Sequence, residues 1–178
     1  MNQDYEALLS KVDAKVDQIV ERHSSRIRCQ KGCHQCCLPQ ISVSRIEAVS
    51  IGDFLNHRPE IIEKLKHVAL NDPHKGRRCR FLDEDGACLI YEARPIICRT
   101  HGLPVRVVSP TEQGKTLESA CHLNFEDGLE HVDRDSWINL DLVNSLLALI
   151  NAHTFPGDAE RYILDLQGLT PFLENPTS

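Results

Sequence analysis

No stretch of this 178-residue chain approaches the roughly 18 to 20 consecutive apolar residues a bilayer-spanning helix needs. The longest, Leu146-Leu147-Ala148-Leu149-Ile150, is far too short. The N-terminus, MNQDYEALLSKVDAKVD, is acidic and polar and carries no apolar h-region, so it does not read as an export signal. An excess of positive charge is missing too. The formal net charge is −6 and the pI about 5.8, which argues against global attraction to nucleic acid or an anionic membrane. No Gly-x-Gly-x-x-Gly signature, phosphate loop, paired carboxylates or Ser-His-Asp order stands out, so no nucleotide pocket or catalytic group is recognisable. Aromatic residues are sparse, yet the hydrophobic fraction of 41% still allows a real core. Neither an internal repeat nor a low-complexity tract is present, and the length suits one domain over 1–178.

Cysteine, by contrast, is abundant. Cys29, Cys33, Cys36 and Cys37 fall within nine residues, and Cys79, Cys88, Cys98 and Cys121 follow. Without a visible export signal the expected location is cytoplasmic, where thiols stay reduced. Eight cysteines there read as metal ligands or redox groups. The competing reading is four disulfides in an exported protein. Ligands two or three residues apart reach one ion through a tight turn or one helical turn, as Cys33-x2-Cys36 and Cys29-x3-Cys33 allow. The neighbours Cys36 and Cys37 point apart, and suit two sites or one larger cluster better than one tetrahedral ion. Both zinc and iron–sulfur clusters accept all-thiolate sites, and the spacing does not choose between them. Arg28, Lys31, Arg78, Arg80 and Arg99 lie within two residues of a cysteine. They are either charge-assisted donors to sulfur or ordinary solvated cations. His34, His101 and His122 are further candidate ligands or proton carriers, although with this many thiols such histidines more often lie outside the coordination sphere.

Local patterning predicts the surrounding elements. Leu8, Leu9, Val12, Val16, Ile19 and Val20 recur at helical spacing over 4–23. Ser44-Arg-Ile-Glu47 is a capping box opening a second helix, and Pro59 opens a third that Asn71-Asp72-Pro73 ends. Residues 79–91 read as a hairpin about Asp85-Gly86, 92–98 as a sharp turn or short helix, and 105–108 with 115–118 as a second hairpin around Gly114. A long helix is expected from Asp135 through Trp137, Ile138, Leu140, Leu142, Val143, Leu146, Leu147 and Ile150, stopped by Pro156-Gly157. The expected fold is mainly α with short β-hairpins, a small helical domain organised around a cysteine-rich metal-binding core. Its parts are an N-terminal helix (1–25), a cysteine-cluster region (29–121), a C-terminal helix (135–155) and a loosely held tail (156–178).

The run Cys79-Arg-Phe-Leu-Asp-Glu-Asp-Gly-Ala-Cys88-Leu-Ile-Tyr91-Glu-Ala-Arg94-Pro95-Ile-Ile-Cys98-Arg99, together with Cys29-x3-Cys33-x2-Cys36-Cys37, resembles the two hallmarks of the YkgJ-type cysteine-cluster family. That family is described as a zinc- or iron-chelating domain and carries Cys-x2-Cys-x2-Cys-Cys. Here one extra residue follows the first cysteine, which sets Cys29 apart. The resemblance covers 29–121 and implies that Cys29, Cys33, Cys36, Cys37, Cys79, Cys88, Cys98 and Cys121 are metal ligands. The implied cofactor is an iron–sulfur cluster or zinc. Pro95 stiffens the approach to Cys98, Arg94 can bridge a carboxylate or a sulfur, and Tyr91 can pack its ring and hydrogen-bond its hydroxyl; all three read as scaffold before a direct role in chemistry.

Two functions follow as expectations. One is a metal-binding protein with a redox, electron-transfer or structural-regulatory role, acting on a protein partner. The other is a metal-dependent enzyme, methyltransferase- or oxidoreductase-like, with an open coordination position. A methylase that shares the domain is considerably longer, and the radical-SAM spacing of Cys29, Cys33 and Cys36 occurs here in a chain too short for the barrel of those enzymes. A third possibility is metal delivery through Cys36-Cys37.

Overall fold

In the computed structural model, which describes residues 2–70 and 76–174, helices alternate with very short strands. The order is α1 (Gln3–Arg22), β1 (Ser42–Val43), α2 (Arg45–Asn56), α3 (Pro59–Leu70), α4 (Ile96–Thr100), β2 (Val105–Val108), β3 (Thr116–Ser119), β4 (Ile138–Asn139), α5 (Leu140–Thr154), β5 (Tyr162–Ile163) and α6 (Leu166–Leu169). Single 3-10 turns occur at Tyr91–Ala93, Arg134–Ser136 and Thr170–Phe172. Helix is the commonest element among the described residues, but the two small sheets make the fold mixed α/β. Among these residues no helix is long and apolar enough to cross a membrane. The chain divides into two compact units. The first comprises Asn2, 30–70, 76–95 and 151–174; the second comprises 3–29 and 96–150.

In the second unit the apolar stripe of α1 turns Tyr5, Leu8, Val12 and Ile19 inward. Arg99 of α4 ties that short helix to α1, its Nη1 donating to both oxygens of Asp13 at 2.8 and 2.7 Å. Strand β2 pairs antiparallel with β3, Val105 opposite Ser119 and Val108 opposite Thr116, and parallel with β4, Val105 opposite Ile138. The expected hairpin around Gly114 is therefore present. Ile19, Leu103 and Ile138 form one core, and Phe125, Val132 and Trp137 another. The C-terminal helix starts later than its periodicity suggests. Trp137 and Ile138 share the helical spacing, but the Ile138 N–H donates to the Pro104 carbonyl at 2.9 Å, which draws Ile138 into the sheet. The helix begins at Leu140, and Asn139 Oδ1 accepts the Leu142 N–H at 3.1 Å. Along α5, Leu147 is buried while Leu142, Leu146 and Leu149 are exposed.

In the first unit the capping box forms. The Glu47 carboxylate, only 2% exposed, accepts from the Ser44 N–H and hydroxyl, each at 2.9 Å. Helix α2 buries Ile46, Ala48, Ile51 and Leu55, and Pro59 opens α3 as expected; the Asn71-Asp72-Pro73 terminator lies outside the described residues. In the segment read as a loosely held tail, the described residues 156–174 include regular structure. β5 pairs antiparallel with β1, Ser42 opposite Ile163, and Leu169 of α6 is fully buried. Gly52 gives this segment its seat: a Cβ there would lie 2.6 Å from the Phe172 carbonyl oxygen and 2.7 Å from its Cβ. The expected hairpin at 79–91 contracts to one antiparallel bridge, Leu82 to Cys88. Hydrophobic side chains fill the interior of the described residues. Cys29 is exposed and the other seven cysteines are partly buried, so a core organised around cysteine is not what these residues show.

Two outcomes follow. Gly52→Ala overpacks the contact with Phe172 and should cost about 1–3 kcal/mol in urea unfolding, with faster amide exchange at 162–172. His23 is buried, its Nε2 2.9 Å from Ser136 Oγ and its ring edge-on to Phe125. Burial first, then the Arg26 and Arg22 charges, push its pKa below 6.5, against the pull of Asp133. The folded protein thus favours neutral His23. Its contribution is complete above the unfolded histidine pKa, about 6.5, and is lost as pH falls from there through the lowered folded value. Unfolding free energy measured from pH 8 to 5 should fall less steeply in His23→Gln.

Candidate metal centre

Sequence-distant cysteine loops of the first unit meet at glycines. Gly32 and Gly86 have φ of 88° and 78°, the left-handed region that other residues rarely occupy. A Cβ on Gly86 would lie 2.6 Å from His34 Nδ1 and 3.0 Å from the Gly32 carbonyl oxygen, and one on Gly32 would lie 3.3 Å from the Asp85 carbonyl. The His34 ring and the Gly32 backbone thus leave no room for a side chain at Gly86. Asp83 builds the turn that Gly86 completes, its Oδ1 accepting the N–H groups of Asp85 and Ala87 at 3.0 and 2.7 Å. A second tie joins the cysteine runs directly, the Cys79 N–H donating to the Cys37 carbonyl at 2.9 Å. Cys33 belongs to the same loop, its N–H bonded to the Gln30 carbonyl at 3.0 Å.

The thiols of this unit feel one another. A hydrogen bond with the Cys37 thiol pushes Cys36 well above the ordinary thiol range, with burial and the Cys37 charge adding to it. Burial raises Cys79, and raises Cys88 to about 11, where the nearby Cys79 adds its charge. Opposing groups favour thiolate: the backbone of Phe81 hydrogen-bonds to Cys79, and that of Ile90 to Cys88. Arg94 lowers both Cys36 and Cys88. Its guanidinium is held over the Tyr91 ring, 3.7 Å from the centroid, and its Nε donates to the Tyr91 carbonyl at 3.1 Å. Arg94 is thus a cation that acts on two thiols. Of the cations closer in sequence, Arg99 binds Asp13 and Arg78 Nη2 donates to the Asp83 carbonyl at 3.2 Å.

The second unit holds Cys29, Cys98 and Cys121. Cys98 lies on α4. Cys29 and Cys121 meet at Gly102, whose φ is 90°: Cys29 Sγ and Cys121 Cβ each lie 3.6 Å from where a Gly102 Cβ would be. The Cys121 N–H donates to the Gly102 carbonyl at 3.3 Å. A residue not expected from the sequence joins them. Buried Asn124 directs its Nδ2 at Cys29 Sγ, 3.3 Å away. No spacing rule marks an asparagine three residues after a cysteine, and only the folded loop reveals the contact.

Among the histidines, His34 donates from Nδ1 to the Gly32 carbonyl at 2.9 Å, which fixes the orientation of the ring. His101 and His122 are exposed. Among the described residues no group of three or more His, Cys, Asp or Glu side chains stands in a metal-holding arrangement. The donor chemistry itself fits zinc or iron. None of the eight thiols is in a disulfide, and hydrogen-bond donors point at the sulfurs of Cys29, Cys79 and Cys88. A family model named CxxCxxCC, described as a putative zinc- or iron-chelating domain, matches residues 28–122. No curated protein and no solved structure matches the chain.

Gly86→Ala tests the seating of these loops. A side chain at this φ, against His34 and the Gly32 carbonyl, should destabilise the first unit by about 1–3 kcal/mol in denaturant unfolding. Metal retained after dialysis should fall with it.

Proposed function

The chain belongs to the CxxCxxCC family, and on that premise we propose that it is a metal-binding protein holding zinc or an iron–sulfur cluster through its clustered cysteines. The cofactor class is zinc or iron, as the family's description has it. One observation carries the finer reading: the matched segment, 28–122, spans every cysteine in the sequence. Cys33, Cys36, Cys37, Cys79 and Cys88 are the ligands drawn from the first unit, and Cys29, Cys98 and Cys121 those from the second. Zinc bound by four thiolates is a closed structural clamp, whereas an iron–sulfur cluster supplies one-electron chemistry. The chain's own groups prepare the sulfurs. Backbone of Phe81 and Ile90 bonds to Cys79 and Cys88, and Arg94 offsets negative charge at Cys36 and Cys88. Such support favours thiolate and tunes the metal. The role that follows is redox or electron transfer with iron–sulfur, structural-regulatory with zinc, exercised in the cytoplasm on a protein partner.

Anaerobic purification with elemental analysis and an absorption spectrum tests this. A brown protein with iron and acid-labile sulfide assigns the redox role; a colourless protein with stoichiometric zinc assigns the structural one. In either case chelation should unfold the protein, because ligands gathered from 29 to 121 link metal binding to folding. Fully folded, metal-free protein that takes up neither metal would overturn the proposal.

A further inference from the structure

Asn124 is 2% exposed, and each of its hydrogen-bonding atoms has a fixed partner. Its Oδ1 accepts the Arg28 backbone N–H at 2.8 Å. Its Nδ2 donates to the Gly102 carbonyl at 2.7 Å and to Cys29 Sγ at 3.3 Å. The two backbone partners settle the amide's orientation. A flipped amide would set NH₂ against N–H and oxygen against oxygen. With one Nδ2 proton on Gly102, the other is left for sulfur. Cys29 Sγ also stands 3.8 Å from Oδ1, within reach of a bond donated by the neutral thiol. An N–H···S bond is stronger when the acceptor carries charge.

The surroundings hold the amide rigidly. The Phe125 N–H donates to the Arg26 carbonyl at 3.0 Å, so residues 124–125 and 26–28 are bonded side by side. Arg26 adds a salt bridge to Asp127 at 2.8 Å, a bond to the Gly128 carbonyl at 2.6 Å and a stack on the Phe125 ring at 4.6 Å. Cys29 follows at once on this clamped segment.

We propose that Asn124 is a positioning residue for the Cys29 thiolate: its side-chain N–H holds that sulfur toward the Gly102–Cys121 side and draws charge from it when it ligates a metal. This rests on the reading of Cys29 as a ligand. Cys29 is the exposed cysteine and stands one residue further from its neighbour than the family pattern has it, so a dedicated buried clasp supplies the order that loop spacing does not. Partners of this kind typically change metal affinity by about 10–100-fold.

The wild-type chain can be loaded with cadmium enriched in its spin-active isotope and examined by NMR. Scalar coupling from cadmium to the Cys29 β protons identifies the ligand. Coupling to an Asn124 side-chain amide proton, relayed through Sγ, is the expected signature of the proposed bond. Cys29 coupled with Asn124 uncoupled overturns this inference alone. Cadmium bound with Cys29 uncoupled overturns Cys29 as a ligand and the inference with it; folded protein that takes up neither cadmium, zinc nor iron overturns the proposed function. As a second readout, Asn124→Asp keeps an acceptor for the Arg28 N–H but lacks the donor to sulfur. Its cobalt(II) affinity should drop about 10–100-fold, with the sulfur-to-cobalt charge-transfer band moved to lower energy. In Cys29→Ser the same change should have little further effect. Additive losses would mean that Asn124 acts on the fold rather than on this sulfur.

Discussion

Glycine in the left-handed region, at Gly32, Gly86 and Gly102, is the constraint on which both cysteine-bearing regions depend. Gly86 faces Gly32 and His34 in one unit, and Gly102 faces Cys29 and Cys121 in the other. Apart from Cys98 on α4 and Cys88 in its single bridge to Leu82, the cysteines lie outside helices and strands, so ladder hydrogen bonds do not order them. Side chains bonded to backbone substitute for ladders: Asp83 in its turn, His34 on the Gly32 carbonyl, and Asn124 between Arg28 and Gly102. Each of these groups is short and polar, which suits loops that must leave sulfur at the edge of the hydrophobic interior rather than within it.

The electrostatics of the first unit pull in two directions. Burial and neighbouring sulfurs push Cys36, Cys79 and Cys88 toward the neutral thiol, while Arg94 and backbone bonds favour the anion. A bound cation would decide that contest, because its charge outweighs every other local term and a coordinating thiol is deprotonated outright. Arg94 is well placed for a supporting role. Stacked on exposed Tyr91, it keeps its charge near two sulfurs while its planar fork is already ordered.

Features with local causes were the legible ones. The α1 stripe, the Ser44–Glu47 box, the Pro59 start and the Gly114 turn each depend on residues within a few positions, and each is found. Tyr5 joins the buried face of α1 although it precedes the stripe of Leu and Val that marks the helix. Trp137 and Ile138 fit a helical period, yet a carbonyl more than thirty residues earlier, that of Pro104, claims the Ile138 N–H. Packing of 162–172 was illegible for a similar reason, since its partners are Val43 and Gly52. At the site, cysteine spacing announced the chemistry but not the support. Sequence proximity pointed to Arg99, which binds Asp13, and passed over Asn124, whose contact with Cys29 spans 95 positions.

The pairing of β1 with β5 has a consequence for synthesis. The first unit contains 30–70 and 76–95, but its sheet partner, its Asn151 bond to the Ile46 N–H and the aromatic seat on Gly52 all come from beyond residue 150. A ribosome makes the chain from its N-terminus, so Cys33 to Cys88 emerge well before the strand that closes their unit. For that interval the nascent thiols lack their finished surroundings, and the order of translation leaves them without the protection of the fold.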